Sequence, residues 1–395
     1  MRFLKHFAFI FALSTVLFAC SENPRPTEND ERNSQQDIEM GLFLQKKYPN
    51  EDFIKINQGV YKHTDVEPSA DATPADAGNV VAIQYELYTV DQDNNGQFVD
   101  GHLIEKLVQN INGNDTTYTK TSVVFSDAER EIVKEEDDPF VYGLNQGNTF
   151  PSTFSGISGN IKEGETATFF FTGQFGYGQY SYQKIGVGRY QPVMLKVTMT
   201  KVFDEDSFEA FEDRRIVKEI QRDSKYWDNE GINWKEVAIT ENGTHVITWN
   251  RDTLSDTEDS IQRKAQVKVD YTGRLFKFDS LVFDTSVKDT AELYDLAPRQ
   301  TYEPFEFEVG VGSVINGWDE GVQKMFLNEI GVLYIPTTAA YVASPAGGRI
   351  VVPEFLREDL NENPSNPAGL SSIIKPYDPL KFNMHITEVD NPSEE

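Results

Sequence analysis

The chain has 395 residues, and 64 acidic against 36 basic side chains give it a formal net charge of −28 at pH 7. This acidic excess argues against nucleic acid or an anionic lipid surface as the partner, because either would repel the chain. A single cysteine excludes an internal disulfide, and five histidines leave few ligands for a metal site. The length and a hydrophobic content of 38% predict two or three soluble globular domains with substantial cores.

The first residues carry the pattern of a secretory leader. A short cationic segment precedes an apolar run from Phe7 to Ala19, which is too short to remain as a membrane-spanning helix. The run ends at Cys20, and this junction resembles the lipobox of bacterial lipoproteins; an ordinary secretory signal is the alternative. The resemblance implies a signal peptide over residues 1–19 and a lipidated Cys20. That lipid would anchor the protein to a membrane of the cell envelope, as a periplasmic or outer-membrane lipoprotein.

Polar and charged segments separate this leader from the rest of the chain. Residues 20–35 lack a hydrophobic cluster, and such a segment cannot bury enough surface to fold, so they predict a flexible tether. Charged, helix-prone stretches follow near Asp37 to Lys47 and again near Ser207 to Lys225. Each of these stretches precedes a longer region with strand-like runs.

The region after residue 36 predicts two copies of one structural plan. Apolar and polar residues alternate from Val81 to Leu87 and from Val267 to Tyr271, as they do in half-buried strands. A further alternating run closes each copy, from Val193 to Met199 and from Leu380 to Ile386. Short strands with one brief helix in each copy predict an α+β fold with an antiparallel sheet, and no strand–helix series supports a Rossmann or barrel fold.

The spacing of single residues also agrees between the copies. Gly164 stands as far before Tyr177 as Asn328 stands before Tyr341. The predicted organisation after the tether is a first domain over residues 36–205, a second over 206–390 and a disordered tail over 391–395.

Four separated motifs lie in the second copy. They are Val269–Gly273, Val282–Asp284, Pro304–Phe307 and Val314–Val322. Together they resemble the FKBP-type peptidyl-prolyl cis-trans isomerases over roughly residues 235–390. The leader followed by two copies is similar to the FKBP lipoproteins of gliding Bacteroidota. The resemblance implies two tandem FKBP-like units, each an antiparallel sheet wrapped over a short helix, with an aromatic pocket that uses no cofactor and no metal.

The resemblance also assigns residues to this pocket. Trp318 would form its floor, and Tyr341 would donate its hydroxyl to the substrate carbonyl. The implied catalytic residues are Tyr271, Phe283, Asp284, Trp318, Tyr341 and Phe382, and the implied substrate-binding residues are Phe305, Val314, Ile315 and Ile374. Asp319 and Glu320 are interpreted as favouring the helix N-terminus electrostatically, without a catalytic role.

Two departures from the family pattern border this pocket. Val342 follows Tyr341 where the family usually has glycine, and the loops between Asp284 and Pro304 and between Val342 and Ser372 are longer than in the family. These loops bear on substrate choice and drug binding more than on the fold.

The first copy differs from the second at the aligned pocket positions. Ile104 and Glu105 stand at the positions of Phe283 and Asp284, Leu195 at that of Phe382, and Phe154 near that of Trp318 with a possible shift of one residue. Tyr177 keeps the tyrosine. With fewer aromatic walls, we expect the first copy to have a binding, spacing or dimerising role and weak or absent turnover.

These features predict a peptidyl-prolyl cis-trans isomerase that assists the folding of exported proteins. Its expected partners are Xaa-Pro segments of those proteins and a membrane reached through Cys20, with no nucleic acid. One alternative is a module that binds proline peptides or unfolded chains without catalysis. Another is a structural accessory of a gliding or secretion complex, with a partner in the envelope.

Overall fold

The computed structural model describes residues 27–112, 115–126, 129–137, 140–144, 148–149, 153–251, 260–276, 278–294, 296, 298, 300–341, 350–351, 374 and 377–392. The predicted signal peptide and the predicted lipidation at Cys20 lie outside these residues. Within the described ranges, no helix combines the length and hydropathy needed to cross a membrane.

The described residues of the first half form a nine-stranded antiparallel sheet. Its strands run in the order β1-β2-β9-β10-β3-β4-β5-β6, and β7 pairs with β3 beside this path. The strands of this half are β1 (Ile54–Asn57), β2 (Val60–Val66), β3 (Val80–Gln92), β4 (Phe98–Asn112), β5 (Asp115–Ser126), β6 (Glu129–Asp137), β7 (Phe140–Gly143), β8 (Asn148–Thr149), β9 (Thr166–Phe171) and β10 (Val193–Phe203).

The second half forms a seven-stranded antiparallel sheet over its described residues. The order is β11-β12-β16-β18-β13-β14, with β15 paired to β13. Its strands are β11 (Lys235–Ile239), β12 (His245–Thr248), β13 (Gln266–Leu275), β14 (Phe278–Thr285), β15 (Phe305–Glu308), β16 (Ile330–Ile335), β17 (Ile350–Val351) and β18 (Leu380–Asp390). The remaining short strands, β8 and β17, pair in parallel with each other.

The two sheets have the same strand order when β1, β2, β9, β10, β3 and β4 are set against β11, β12, β16, β18, β13 and β14. β7 and β15 also take the same place beside the central strand. Gly164 and Asn328 precede β9 and β16, and both have positive φ, at 81° and 60°. The fold is therefore a mixed α and β fold with antiparallel sheets, as predicted. The β5–β6 hairpin, which extends only the first sheet, was not predicted.

Helices precede each sheet and cover each core. They are α1 (Glu28–Lys47), α2 (Thr153–Gly156), α3 (Glu205–Asn229), α4 (Lys288–Leu293) and α5 (Asn316–Val322). The long helices α1 and α3 include both predicted helix-prone stretches, and the predicted boundary between the domains falls at the start of α3.

The predicted flexible tether is wrong for residues 28–35, which belong to α1. The Thr27 hydroxyl accepts a hydrogen bond from the Asp30 backbone N–H, and the Asp30 carboxylate accepts one from the Thr27 N–H at 2.8 Å. This capping box satisfies donors that a helix N-terminus otherwise leaves free. Met40 and Leu44 are buried farther along the same helix. Packing of its C-terminal half therefore extends the helix into a segment that is polar by composition.

Helix α3 and the short helix α5 lie on opposite faces of the second sheet. Lys381 and Phe382 are neighbours on β18, so their side chains point to opposite faces. The Lys381 ammonium donates to Glu219 of α3 at 3.1 Å and to Asp223 at 2.8 Å. The Phe382 ring instead meets the ring of Trp318 on α5, with 5.0 Å between centroids. One face of the sheet thus holds α3, and the other, with α5, encloses the main apolar core.

Candidate functional site

A cavity of about 430 Å³ opens between α5 and the second sheet. The part of its wall that the structure describes contains nine of the ten residues that the sequence analysis assigned to a pocket. The lining residues are Tyr271, Phe283, Asp284, Phe305, Ser313, Val314, Ile315, Trp318, Ala340, Tyr341 and Phe382. The tenth assigned residue, Ile374, is buried in the same hydrophobic cluster but is not among the residues that line the cavity.

Trp318 forms the floor of the cavity and is only 5% exposed. Its ring lies 5.1 Å from that of Tyr271 and 5.0 Å from that of Phe382, both edge to face. Glycines hold α5 close to the sheet, since a β-carbon at Gly317 would come within 2.3 Å of Ile335. The Asn-Gly-Trp sequence therefore places a large ring at the base of the cavity by keeping the residue beside it small.

Two phenylalanines form a wall above a glycine of the central strand. The Phe283 and Phe382 rings meet edge to face with centroids 5.5 Å apart. A β-carbon at Gly273 would lie 2.5 Å from Phe283 Cζ and 2.7 Å from Phe382 Cε1. The wall can occupy this position only because residue 273 has no side chain. Gly273 belongs to the motif Val269–Gly273, but the sequence alone predicted no role for it.

A hydrogen-bonded tyrosine and carboxylate form the polar side of the cavity. The Tyr271 hydroxyl donates to Asp284 Oδ2 at 2.6 Å, and the Thr285 backbone N–H donates to Asp284 Oδ1 at 2.9 Å. Both carboxylate oxygens therefore have a donor. The Asp284 side chain is consequently held at the cavity wall in one orientation.

The expectation for Asp319, a charge that only favours the helix N-terminus, is incomplete. Its carboxylate accepts hydrogen bonds from the backbone N–H groups of Gly310 at 2.9 Å and Gly312 at 2.7 Å. These bonds fix the loop that leads into Val314 and Ile315 at the cavity rim. Asp319 therefore positions the rim, a role that becomes visible only when the helix and the loop are seen together.

Tyr341 borders the cavity from the loop that follows β16. Thr337–Ala339 form a single 3₁₀ turn, and Ala340 and Tyr341 follow it directly. The Tyr341 side chain is partly buried, and this burial raises the pKa of its hydroxyl above the ordinary value of 10.0. The hydroxyl is consequently protonated, and able to donate a hydrogen bond, throughout the neutral range.

The strand registers of the two halves agree with the residue alignment that the sequence predicts. Leu195 pairs with Leu87 as Phe382 pairs with Gly273, and Glu105 pairs with Leu87 as Asp284 pairs with Gly273. A tyrosine–carboxylate bond is present in the first half as well, where the Tyr85 hydroxyl donates to Glu105.

The doubt about Phe154 is also resolved. Its ring lies 5.1 Å from that of Tyr85 and 5.2 Å from that of Phe140. Trp318 contacts Tyr271 and Phe305 in the same arrangement, at 5.1 and 5.9 Å. Phe154 therefore occupies the place of Trp318.

The first half buries its aligned tyrosine and part of the loop that follows it. Tyr177, which corresponds to Tyr341, is fully buried, and its ring meets that of Tyr182 at 5.8 Å. Tyr182 and Ile185, from the loop that follows, are buried in the same cluster as Leu87. The first half thus has smaller side chains at the aligned wall positions, and Tyr182 and Ile185 of its loop are packed into its core.

Three comparisons with known proteins bear on the second half. The family model for FKBP-type peptidyl-prolyl cis-trans isomerases matches residues 257–386. FK506-binding protein 2 of Dictyostelium discoideum is 41% identical over 85 residues, which are 22% of this chain and 53% of that protein. FK506-binding protein 1A of Aspergillus fumigatus is 42% identical over 77 residues, or 20% and 56% of the two chains.

The crystal structure of the three FKBP domains of wheat FKBP73 is a further match, with a TM-score of 0.27 and 15% identity, covering 86% of this chain and 100% of that one. The chain spans about half the length of the curated relatives it matches. Residues 257–386 form an FKBP-type peptidyl-prolyl cis-trans isomerase domain.

Proposed function

We propose that the whole protein is a prolyl isomerase that works through the cavity over Trp318. The observation that carries the proposal is the convergence of Tyr271, Phe283, Trp318, Tyr341 and Phe382 on one cavity. These residues span more than a hundred positions of the chain, and local packing of a single helix does not account for their meeting. The proposed catalytic residues are those five and Asp284, with Phe305, Val314, Ile315 and Ile374 supporting the substrate.

The chemistry requires no covalent intermediate. Rotation about a peptide bond faces a barrier of roughly 18–20 kcal/mol because resonance stiffens the C–N bond. Water favours the planar, more polar amide, whereas an apolar enclosure favours the twisted amide that has lost this resonance. A cavity walled by aromatic rings therefore binds the transition state in preference to the ground state.

Each proposed residue has a part in this preference. The prolyl ring would lie over Trp318 between the rings of Phe283 and Phe382. Tyr341 would donate a hydrogen bond to the substrate carbonyl and hold it while the ring turns. The Tyr271–Asp284 bond keeps the carboxylate directed along the wall, beside the rotating amide.

The first half is proposed to be a second FKBP-like unit without appreciable turnover, so that the chain has two tandem units over residues 36–205 and 206–390. The shared strand order and the shared tyrosine–carboxylate pair support this descent from one plan. The buried Tyr177 and the packed loop around Tyr182 and Ile185 leave its side chains in contact with each other. Its role would be binding, spacing or dimerisation.

The protein is further proposed to be a lipid-anchored lipoprotein of the cell envelope, similar to those of gliding Bacteroidota, that acts on Xaa-Pro segments of exported proteins. The sequence around Ala19 and Cys20 supports the anchor. Cells that express the full chain and receive labelled palmitate should label the wild type, and Cys20→Ser should lose both the label and the membrane fraction. A Cys20→Ser protein that stays labelled would contradict the anchor.

Catalysis is tested with a protease-coupled Xaa-Pro peptide assay on the chain without residues 1–20. Uncatalysed isomerisation takes tens to hundreds of seconds, so acceleration is readily measured. Trp318→Leu should lower kcat/KM by about 10- to 100-fold, because the prolyl ring loses its support and its orientation. Trp234→Leu, a tryptophan outside the cavity, is the matched control and should keep the activity.

Two other outcomes would replace the proposal. Peptide binding without acceleration would favour a binding or chaperone module. A structural accessory of an envelope complex would be favoured if the chain neither binds nor accelerates the peptide. In that case a Trp318→Leu chain should also rescue the phenotype of a gene deletion.

A further inference from the structure

The carboxylate of Glu212 is buried where helix α3 meets the second sheet. Its side chain is 2% exposed. One oxygen, Oε2, accepts hydrogen bonds from the Thr337 backbone N–H at 3.0 Å and from the Thr337 hydroxyl at 2.7 Å. The other oxygen, Oε1, has no hydrogen-bond partner among the described residues. A buried carboxylate costs considerable free energy unless it is hydrogen-bonded or paired with a charge, and here the hydrogen bonds come from the turn that begins at Thr337.

Thr337 begins the turn that leads to the cavity. The turn is closed by bonds from Ala339 N–H to Pro336 O at 3.0 Å and from Ala340 N–H to Thr337 O at 3.1 Å. Ala340 and Tyr341, the next residues, line the cavity. Glu212 thus binds the start of a rigid turn whose end carries the proposed hydroxyl donor.

The first half contains the same contact with a neutral side chain. Gln36 of α1 accepts a hydrogen bond at Oε1 from the Gly173 backbone N–H at 2.9 Å. Gly173 corresponds to Thr337, because Phe169 pairs with Leu195 as Leu333 pairs with Phe382. The helix before each sheet therefore holds the turn before each tyrosine.

Glu212 lies outside the residues that the family model matches, whereas Thr337 lies within them. That match begins at residue 257, whereas Glu212 belongs to the helix that precedes the domain. Helix α3 is itself fixed to the sheet by other contacts, among them Ile216 packed against Val332 and Tyr334. The helix is consequently a rigid support for the turn.

We propose that Glu212 is a positioning residue of the isomerase, which fixes the turn from Thr337 to Tyr341 and thereby directs the Tyr341 hydroxyl into the cavity. The proposal rests on the proposed function. It makes the preceding helix α3 a working part of the active site, beyond its structural role.

The test compares four variants of the chain without residues 1–20. Glu212→Ala should lower kcat by about 10- to 100-fold with a smaller change in KM, because the turn loses its anchor while the aromatic cavity remains. Glu212→Gln should stay within about threefold of the wild type, because an amide oxygen can accept both bonds, as the Gln36 oxygen accepts from Gly173.

Two controls separate positioning from general loosening. Ile216→Ala weakens the packing of α3 without touching Thr337, and it should lower the melting temperature while kcat at 25 °C stays within about twofold. Gln36→Ala removes the corresponding bond in the first half and should leave kcat unchanged. Equal losses of kcat in Glu212→Ala and Ile216→Ala, or full activity of a folded Glu212→Ala chain, would overturn the proposal.

A spectroscopic measurement keeps this test separate from the test of the function. In chains with ¹³C-labelled tyrosine, the ring signal of Tyr341, assigned by its loss in Tyr341→Phe, should move in Glu212→Ala and return in Glu212→Gln. If the wild type lacks isomerase activity, the proposed function fails, and this signal still decides whether Glu212 positions Tyr341.

A further variant serves if Glu212→Ala does not fold. Thr337→Val removes the hydroxyl donor alone and should lower kcat by about threefold. If Thr337→Val changes neither kcat nor the Tyr341 signal, the proposal is overturned.

Discussion

The two halves of the chain share one strand order over their described residues, yet they differ in the burial of the tyrosine that follows β9 in the first sheet and β16 in the second. Tyr341 borders the cavity, whereas the corresponding Tyr177 is fully buried. Both halves keep the hydrogen bond between a tyrosine and a carboxylate. The polar pair is therefore present in both halves, and the residues at the aligned wall positions differ between them.

One strand position explains much of this difference. Gly273 leaves room for the rings of Phe283 and Phe382, which approach it more closely than any β-carbon would allow. The first half has Leu87 at this position, together with the smaller Ile104 and Leu195 as the wall. The first half therefore has a larger side chain on the central strand and smaller side chains in the wall than the second half. Such an exchange roughly conserves the total side-chain volume, and a packed core tolerates it better than a change in volume. An aromatic wall thus depends on the absence of a side chain beneath it.

The largest expected effect comes from giving the second half the packing of the first. The triple variant Gly273→Leu, Phe283→Ile, Phe382→Leu should fold but lose at least about 100-fold in kcat/KM, since the aromatic enclosure disappears. The peptide assay and a thermal melt measure the two properties. The opposite triple variant, Leu87→Gly, Ile104→Phe, Leu195→Phe, is the control and should leave the activity of the second half unchanged. If the variant Gly273→Leu, Phe283→Ile, Phe382→Leu folds and keeps full activity, the aromatic wall has no role in catalysis.

A single methyl group should have a smaller effect of the same kind. Gly273→Ala places a β-carbon within 2.7 Å of ring atoms of Phe283 and Phe382, so both rings must move. We expect a loss of about 1–3 kcal/mol in the free energy of unfolding and a decrease in kcat/KM of about tenfold. Gly41→Ala, where the nearest atom to the new carbon is 3.5 Å away, is the control; it should leave kcat/KM unchanged and should not lower the free energy of unfolding, because alanine is favoured over glycine inside a helix. If Gly273→Ala leaves kcat/KM unchanged, the activity does not depend on the exact positions of the Phe283 and Phe382 rings.

Removal of one hydroxyl should have a still smaller effect. Tyr341→Phe deletes the proposed hydrogen bond to the substrate carbonyl, which is worth about 0.5–1.5 kcal/mol, so kcat/KM should fall by about 2- to 10-fold. The same substitution at Tyr177 tests the comparison between the halves and should leave the isomerase activity intact. A larger loss in Tyr177→Phe than in Tyr341→Phe would place the activity in the first half.

The sequence predicted the strands and the cavity residues because both leave local signals. Alternation from Val267 to Tyr271 predicted β13, which runs from Gln266 to Leu275. Separated motifs, read through a family resemblance, brought Phe283, Trp318 and Tyr341 to one site. Each strand and each motif is recognised from a few residues that are neighbours in the sequence.

The remaining features depend on contacts between distant segments. Residues 28–35 are polar and became helical because their own cap and the packing farther along α1 stabilise the helix. The bond from Thr337 to Glu212 joins residues 125 positions apart, and neither residue is unusual in its own sequence context. Gly273 has no side chain to attract notice. The packed loop around Tyr182 has no signal in sequence that distinguishes it from an exposed loop.

The smallest expected effect concerns the pH dependence of stability at Glu212. Burial raises the pKa of this carboxyl above 4.5, against the opposing effect of Arg215 and of the hydrogen bonds from Thr337. The folded chain therefore retains a proton that the unfolded chain releases, and the stabilising contribution is complete below pH 4.5 and is lost as pH rises through the folded pKa. Glu212→Gln cannot titrate, so the melting temperature of the wild type relative to this variant should fall as the pH rises above 4.5.

Glu209→Gln, at an exposed position of the same helix, is the matched control, and its difference from the wild type should show no such trend because the side chain stays in solvent. A wild-type advantage over Glu212→Gln that grows with pH would mean that the bonds from Thr337 outweigh burial. The carboxylate would then be the preferred form in the folded protein, and the neutral Gln36 of the first half would be the weaker of the two supports for a tyrosine turn.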